Sequence, residues 1–279
     1  METNCPSENV ITSARSAKRL VRWMRVPAGG PNVLSFWIVV NTLVTSVKLR
    51  SRQFVARAAR LILGKKLYFS VHRRLLQLRS NRRVFTAIYK HHLWGEVETV
   101  SGDGSTLEFS ASFRETLPQL LAELGAASLL DAGCGDFNWM KTVNLNGIQY
   151  VGVDVVEPLI IRNIELYTSE SRIFLISDIT KDRLVKADVA LCRHCLIHLS
   201  NRQVCLALRN LKTIGAKYLL ATTFPVVKDN ADIWPGSFRP INLEIPPFNL
   251  PKPLRIFHDS RGTDRNSVLA LWRFADISV

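Results

Sequence analysis

From residue 113 onward, short apolar runs alternate with longer stretches whose apolar positions recur every three or four residues. The short runs are 128–131 (SLLD), 150–156 (YVGVDVV), 172–179 (RIFLISDI), 187–192 (ADVALC) and 218–223 (YLLATT), each of strand length. Between them, residues 113–124 (FRETLPQLLAEL) predict a helix that Gly125 ends, and 158–167 and 202–211 predict two more. Strands that are apolar throughout, separated by helices, predict a parallel sheet covered on both faces. Two later runs, 254–258 and 268–273, predict a closing antiparallel hairpin at the sheet edge. The pattern is that of an α/β domain of seven strands.

The N-terminal third reads differently. Between Ile11 and Leu93 stand eighteen Lys or Arg residues and no Asp or Glu, whereas the two signs nearly cancel from Trp94 to Val279. The net charge of +14 therefore belongs to an extension, and the domain organisation is residues 1–80, basic and partly apolar, followed by a domain over 81–279. Residues 33–47 (VLSFWIVVNTLVTSV) carry no charge, but fifteen residues rise only about 22 Å as a helix, short of a bilayer core of about 30 Å. Membrane span, surface-docking segment, organelle-targeting leader and covering helix all stay open for this stretch. Residues 54–93 predict one or two amphipathic helices with a basic outer face. Such a run suits an anionic surface, either lipid headgroups along residues 11–93 or nucleic acid. A chain 47% hydrophobic is not globally disordered. Its five cysteines, an odd number lying mostly in apolar segments, fit a reducing compartment better than a disulfide scaffold. The expected location is cytoplasmic with membrane association, or mitochondrial if the leader is a targeting signal.

The candidate chemistry lies at the carboxyl ends of the strands, where open α/β sheets bind ligands. The first strand runs into Asp131-Ala132-Gly133-Cys134-Gly135. Glycines at alternate positions let the backbone turn sharply and let a ligand approach without meeting a Cβ. Asn138 stands where a dinucleotide fingerprint has its third glycine. Asp131 would repel a pyrophosphate, but it can pair with the ammonium of an amino-acid moiety. Nineteen residues beyond Gly135, Asp154 ends the second strand, where a carboxylate can accept both hydroxyls of a ribose. Asp178 closes the third strand, placed for an adenine amino group, with Ile179 to pack on the ring. The three acids together favour S-adenosyl-L-methionine over a nicotinamide dinucleotide and predict a Rossmann-like sheet.

The fourth strand leads into Cys192-Arg193-His194-Cys195 and then His198. Arg193 and His194 emerge where a methyl group would be presented. His194 is a candidate general base or positioning group, although methyl transfer by in-line displacement needs orientation more than basicity. The Cys192-x-x-Cys195 spacing with two histidines nearby suggests zinc. A structural site wants four convergent ligands, and Cys192 belongs to the buried strand, so no metal is expected. Residues 225–253 hold seven of the twelve prolines. That stretch cannot be regular structure and is expected to fold over the sheet's carboxyl end, with Trp234, Arg239, Asn242 and Phe248 in the acceptor wall. Arg239 suggests an anionic or polyhydroxyl acceptor.

Several motifs together resemble a known family. They are Trp94-Gly95-Glu96-x-Glu98-x-x-Ser101-Gly102-x-Gly104-Ser105, Leu130-Asp131-Ala132-Gly133-Cys134-Gly135-Asp136-Phe137-Asn138-Trp139-Met140, and Tyr150-Val151-Gly152-x-Asp154. Further along come Cys192-Arg193-x-Cys195-Leu196-x-His198-Leu199-Ser200, Thr222-Thr223-Phe224-Pro225 and Arg239-Pro240-x-Asn242-Leu243-x-x-Pro246-Pro247-Phe248. Over residues 81–274 the chain resembles a largely bacterial family of class I S-adenosylmethionine-dependent methyltransferases. The resemblance implies that Asp131, Gly133, Cys134 and Gly135 line the methionine end of the cofactor. It implies Asp154 and Val155 for the ribose, and Asp178 and Ile179 for the adenine. Residues 94–105 would form a cover, with Trp94 facing the acceptor. Glu96 stands where a second glycine is expected, and His194 where similar sequences carry an acidic residue.

The expected activity is methyl transfer to a small-molecule or saccharide acceptor. Three other readings are carried beside it: an RNA methyltransferase clamping through the extension, a non-catalytic cofactor-binding or docking protein, and a nicotinamide-dependent oxidoreductase. Against the RNA methyltransferase stands the want of a basic stripe in the domain, against the non-catalytic protein the intact acids and glycines, and against the oxidoreductase the missing third glycine.

Overall fold

The computed structural model describes residues 80–95, 97–258 and 266–278. The chain divides into two units, 1–71 and 72–279, and all the described residues lie in the second. The apolar stretch 33–47, most of the amphipathic stretch 54–93, and Glu96 lie outside the described residues. Among those described, no helix is long and apolar enough to cross a membrane.

Seven strands form one sheet: β1 (Ser128–Ala132), β2 (Gln149–Asp154), β3 (Arg172–Ile176), β4 (Val189–Cys192), β5 (Tyr218–Thr223), β6 (Arg255–His258) and β7 (Val268–Arg273). Their order is β3-β2-β1-β4-β5-β7-β6. β1 to β5 pair in parallel, and β7 runs antiparallel between β5 and β6. The chain goes outward from β1 to β3 and then returns to place β4 on the other side of β1. That reversal opens a crevice above the carboxyl ends of β1 and β4.

Successive strand residues face opposite sides, which explains why these strands are apolar throughout. Leu129, Val189, Leu191, Leu220, Leu269 and Leu271 enter one core. Leu130, Ala190, Cys192, Leu219, Ala221, Ala270 and Trp272 enter the other. Helix α2 (Ala111–Glu123) covers the first face with Phe113, Leu117, Leu120 and Leu121, and Gly125 ends it at φ 59°. Helix α3 (Glu157–Tyr167) follows β2 and packs against β2 and β3. Helix α4 (Asn201–Thr213) covers the second face with Val204, Ala207, Leu208 and Leu211. It opens on a capping box in which Ser200 and Gln203 satisfy each other's backbone N–H groups.

The described end of the amphipathic stretch forms helix α1 (Asn81–Lys90), capped by Ser80. The Arg82 guanidinium meets Glu157 of α3 at 3.5 Å. Val84 and Ile88 pack so close to Gly236 that a Cβ there would come within 2.8 and 2.7 Å of them.

Candidate functional site

The turn after β1 is built so that its backbone faces the crevice. Gly133 and Gly135 adopt φ 86° and 57°, which glycine alone reaches without strain. The N–H groups of Gly133 and Cys134 donate to the Val153 carbonyl at 2.8 and 3.1 Å, and the Asn163 side chain of α3 donates to the Gly135 carbonyl at 2.8 Å. Phe137, at φ 59° and fully buried, anchors the turn among Tyr150, Tyr167 and Phe174. From there to β2 the only helical piece is a single 3-10 turn, Met140–Thr142. No α-helix opens at the glycine turn, so no helix N-terminus stands there to receive a pyrophosphate.

One cleft runs across the strand ends. It is lined by Gly133, Gly135, Asp154, Val155, Asp178, Ile179, Arg193 and His194 among the expected residues, and by Trp94 of the cover. Residues that sequence reasoning did not assign to a ligand also line it, chiefly Asn81, Phe85 and Tyr89 of α1, with Ser101, Cys195 and His198.

Asp154 accepts the Gly135 N–H on one oxygen (3.2 Å) and the Val156 N–H on the other (2.9 Å). Burial pushes its pKa up against these bonds. A carboxylate offers about four acceptor positions, and the Val155 N–H also acts on this one, while Asp154 lines the cleft. Asp178 is nine-tenths buried; its Oδ1 accepts from Asn81 Nδ2 (3.1 Å), Thr180 N (3.1 Å) and Thr180 Oγ1 (2.6 Å). Asn81 in turn accepts from Gln203 at 2.7 Å, so α1 is tied both to the residues after β3 and to the first turn of α4. Val155, Val156, Leu159 and Ile179 give this end of the cleft its apolar lining.

Four expectations need correction. Asp131 does not line the cleft. Its carboxylate lies under the turn, 3% exposed, and accepts the Tyr150 hydroxyl at 2.8 Å. Burial raises its pKa to about 7, with the Arg193 charge pulling the other way and the Asp154 charge adding to the rise. Its charge, rather than its contact, reaches the crevice. Cys134 points into the core beneath β2, where a Cβ on Gly152 would come within 3.0 Å of its sulfur. Arg239 and Asn242 do not form an acceptor wall. The buried Arg239 guanidinium is held by the carbonyls of Ala231, Leu196 and Ile197 and by Asn201 Oδ1, and desolvation lowers its pKa to about 10. Asn242 clamps its own loop, donating to the carbonyls of Pro225 and Val227. Phe248, too, is buried in the core. The proline-rich stretch is without regular structure, and it packs Ile241, Leu243, Phe248 and Leu250 onto the second face of the sheet.

The glycines also serve the chain's own packing. A Cβ on Gly133 would come within 2.7 Å of Cys195 Sγ, and one on Gly135 within 2.4 Å of Ser101 Oγ. Ser101 belongs to the cover, which Asp136 fastens down: its carboxylate accepts from Thr99 Oγ1 (2.7 Å), Val100 N (2.9 Å) and Ser101 Oγ (3.0 Å). Asn138, in the place of the third glycine, donates to Glu98 Oε1 at 2.5 Å and to the Ser105 carbonyl at 3.0 Å. Instead of packing a helix against a strand, that position holds the cover.

At the end of β4 the Arg193 guanidinium lies over the rings of Trp139 (4.8 Å) and Phe109 (5.8 Å). His194 has φ 51°, its N–H held by Thr222 Oγ1 at 2.9 Å, and its ring fits against Gly104, where a Cβ would come within 2.9 Å of Nδ1. Trp94 stacks on His198 with ring centroids 4.2 Å apart and planes 29° from parallel. Cys195 sits beside the strand residue Cys192, and burial with that neighbour raises its pKa far above the usual thiol value. Among the described residues, no three His, Cys, Asp or Glu side chains converge as metal ligands.

No family model matches the chain, and no curated protein matches it either. Solved structures do. The 1,6-didemethyltoxoflavin-N1-methyltransferase of Burkholderia thailandensis, crystallised with 1,6-didemethyltoxoflavin and S-adenosylhomocysteine, is 19% identical at a TM-score of 0.50, covering 69% of this chain and 86% of its own. Magnesium protoporphyrin IX methyltransferase from Synechocystis PCC 6803 is 14% identical at 0.48, over 70% and 97% of the two chains. The N-methyltransferase NodS from Bradyrhizobium japonicum WM9 is 14% identical at 0.46, over 59% and 96%. Strand order, the reversed β7 and the likeness to the Burkholderia enzyme agree: the described residues have the Rossmann-like fold of class I methyltransferases.

Proposed function

We propose that the protein is an S-adenosylmethionine-dependent methyltransferase acting on a small-molecule acceptor. The observation that carries this reading is the pairing, in one cleft, of a glycine turn that opens no α-helix with Asp154 and Asp178 at the next two strand ends. Ribose hydroxyls are donors that need acceptors, and the Asp154 carboxylate at the cleft wall is such an acceptor. A purine needs an apolar slot with a polar edge, and Val155, Ile179 and Asp178 supply those. The amino-acid end would lie on the glycine turn, above the Asp131 carboxyl and beside the Arg193 guanidinium.

When bound, this cofactor supplies a methyl carbon on a cationic sulfur, which an acceptor lone pair takes while the carbon–sulfur electron pair stays on sulfur. The chain's own contribution is orientation and exclusion of water. Arg193, His194 and His198 stand at the end of β4 where the acceptor would meet the methyl group, and α1 with residues 94–105 covers them. A covered cleft suits a molecule that enters whole, and the Burkholderia protein of the same fold binds 1,6-didemethyltoxoflavin.

Calorimetric titration with S-adenosylmethionine, S-adenosylhomocysteine and NAD tests the proposal. Both methionine derivatives should bind and NAD should not; the reverse pattern would end it. Asp154→Ala should weaken S-adenosylhomocysteine by about 1–3 kcal/mol, the cost of leaving buried polar groups without a partner. An unchanged affinity contradicts the ribose assignment.

A further inference from the structure

His198 is held in one tautomer. Its Nδ1 lies 2.9 Å from the Ser237 carbonyl, which can only accept, so Nδ1 carries the hydrogen. Burial lowers the pKa of the ring to about 4 against the Ser237 hydrogen bond, which acts to raise it, and the nearby charges of His194 and Arg239 add to the lowering. Near neutral pH the ring is uncharged, and Nε2 is an acceptor that carries no proton. The loop that supplies Ser237 is bound to the same turn: the Gly236 N–H donates to the His198 carbonyl at 2.9 Å, and the buried Arg239 holds the Leu196 and Ile197 carbonyls. The imidazole is thus fixed in place as well as in protonation.

It lines the cleft in an aromatic setting. Trp94 stacks on it at 4.2 Å, Phe85 meets Trp94 edge-on at 5.7 Å, and Tyr89 lines the same cleft. His198 follows β4, on the far side of β1 from Asp154 and Asp178, so this stretch belongs to the acceptor and not to the adenosine. A sugar would bring several hydroxyls, each costly to bury without a partner, to the stretch of wall where Phe85, Tyr89 and Trp94 offer mainly ring faces. A flat ring with one donor matches it better.

We propose, resting on the methyltransferase reading above, that the acceptor is a planar aromatic or heteroaromatic molecule whose O–H or N–H donates to His198 Nε2 while its ring lies against Trp94. His198 is then a binding residue that orients the donor-bearing atom. The proton that the O–H or N–H loses on methylation passes on to solvent water.

The probes are 2-naphthol, 2-methoxynaphthalene, which keeps the ring and lacks the donor, and methyl β-glucoside. Each is titrated into the full-length protein saturated with S-adenosylhomocysteine. The wild type should bind naphthol about tenfold more tightly than the methyl ether, the value of one hydrogen bond of about 1.4 kcal/mol, and should leave the glucoside unbound. His198→Asn keeps an N–H where Nδ1 donates to Ser237 and has nothing at Nε2, so the ratio should fall to near one. Trp94→Ala should weaken both naphthalenes alike. Should His198→Asn not fold, the comparison of the three probes on the wild type decides alone. Glucoside binding, equal affinity of the two naphthalenes for the wild type, or a ratio untouched in a folded His198→Asn overturns the inference. Failure of S-adenosylhomocysteine itself to bind overturns the methyltransferase reading and this one with it. Binding of S-adenosylhomocysteine without discrimination between the naphthalenes sinks the acceptor assignment alone.

Discussion

A carboxyl group buried beneath a ligand site couples that site to pH. Asp131, 3% exposed and bonded to Tyr150, has its pKa raised to about 7 by desolvation. The folded state therefore binds the proton more tightly than the unfolded chain, whose reference value is 3.8. The stability this group contributes is fully present at pH below the unfolded value and is lost as pH rises toward 7. A cationic ligand end above the turn favours the ionised form and reverses the preference. Binding of S-adenosylmethionine near pH 6 should accordingly release protons, with affinity rising until pH passes about 7. Calorimetry in two buffers of different ionisation enthalpy reads the release directly. Asp131→Asn should abolish it, and an unchanged proton count in that variant would place the linkage elsewhere.

The same residue scale shows what sequence can and cannot convey. Asp154 and Asp178 were legible because strand ends and spacing are local properties, and both line the cleft. Arg239 and Asn242 were misassigned for the opposite reason. Each is held by carbonyls or side chains brought near only by folding, in the case of Arg239 from about forty residues away. An arginine in a proline-rich loop looks the same in sequence whether it meets a ligand or clamps a backbone. His198 carried a usable signal, a histidine just past the fourth strand, but it was weighed only as a metal ligand. Its pairing with Ser237 crosses 39 residues.

Among the elements, the cover over 97–105 has few apolar anchors, and a few side chains fix it. Asp136 gathers three donors from residues 99–101, Glu98 accepts the Leu107 N–H at 2.8 Å, and Asn138 ties Glu98 to the Ser105 carbonyl. Segments held this way open well below the free energy of global unfolding. Asp136→Ala should therefore accelerate amide hydrogen exchange over residues 99–105 severalfold while β1, β4 and β5 stay protected. Uniformly faster exchange across the sheet would mean that Asp136 supports the fold as a whole. The cover was anticipated by resemblance, but its latch was not. Asp136 and Asn138 read as parts of a glycine-rich turn, and nothing local to them tells that they reach a segment some 35 residues earlier. Helix α1 was likewise taken for the end of a basic amphipathic run. Its polar Asn81 instead bridges Asp178 and Gln203 and makes the helix a wall of the cleft.

For the molecule as a whole, the order of apolar runs was enough to predict the sheet. Residues 218–223 and 268–273 match β5 and β7 to the residue, because strands buried on both faces read as continuous mostly apolar runs. The longer runs 150–156 and 172–179 overran β2 and β3, since the chain continues past the last ladder bond into the cleft wall, with Val155 and Val156 after β2 and Ser177, Asp178 and Ile179 after β3. The sheet order places the glycine turn, the two acids and the β4 turn in one crevice, and the proposed function rests on that convergence. Its most direct test is a crystal structure of the protein grown with S-adenosylhomocysteine. The ribose hydroxyls should lie on the Asp154 carboxylate, the purine between Val155 and Ile179, and the amino-acid tail on the turn from Gly133 to Gly135. A ligand bound elsewhere, or a crevice still filled by Ser101 and Cys195 at saturating ligand, would contradict this placement.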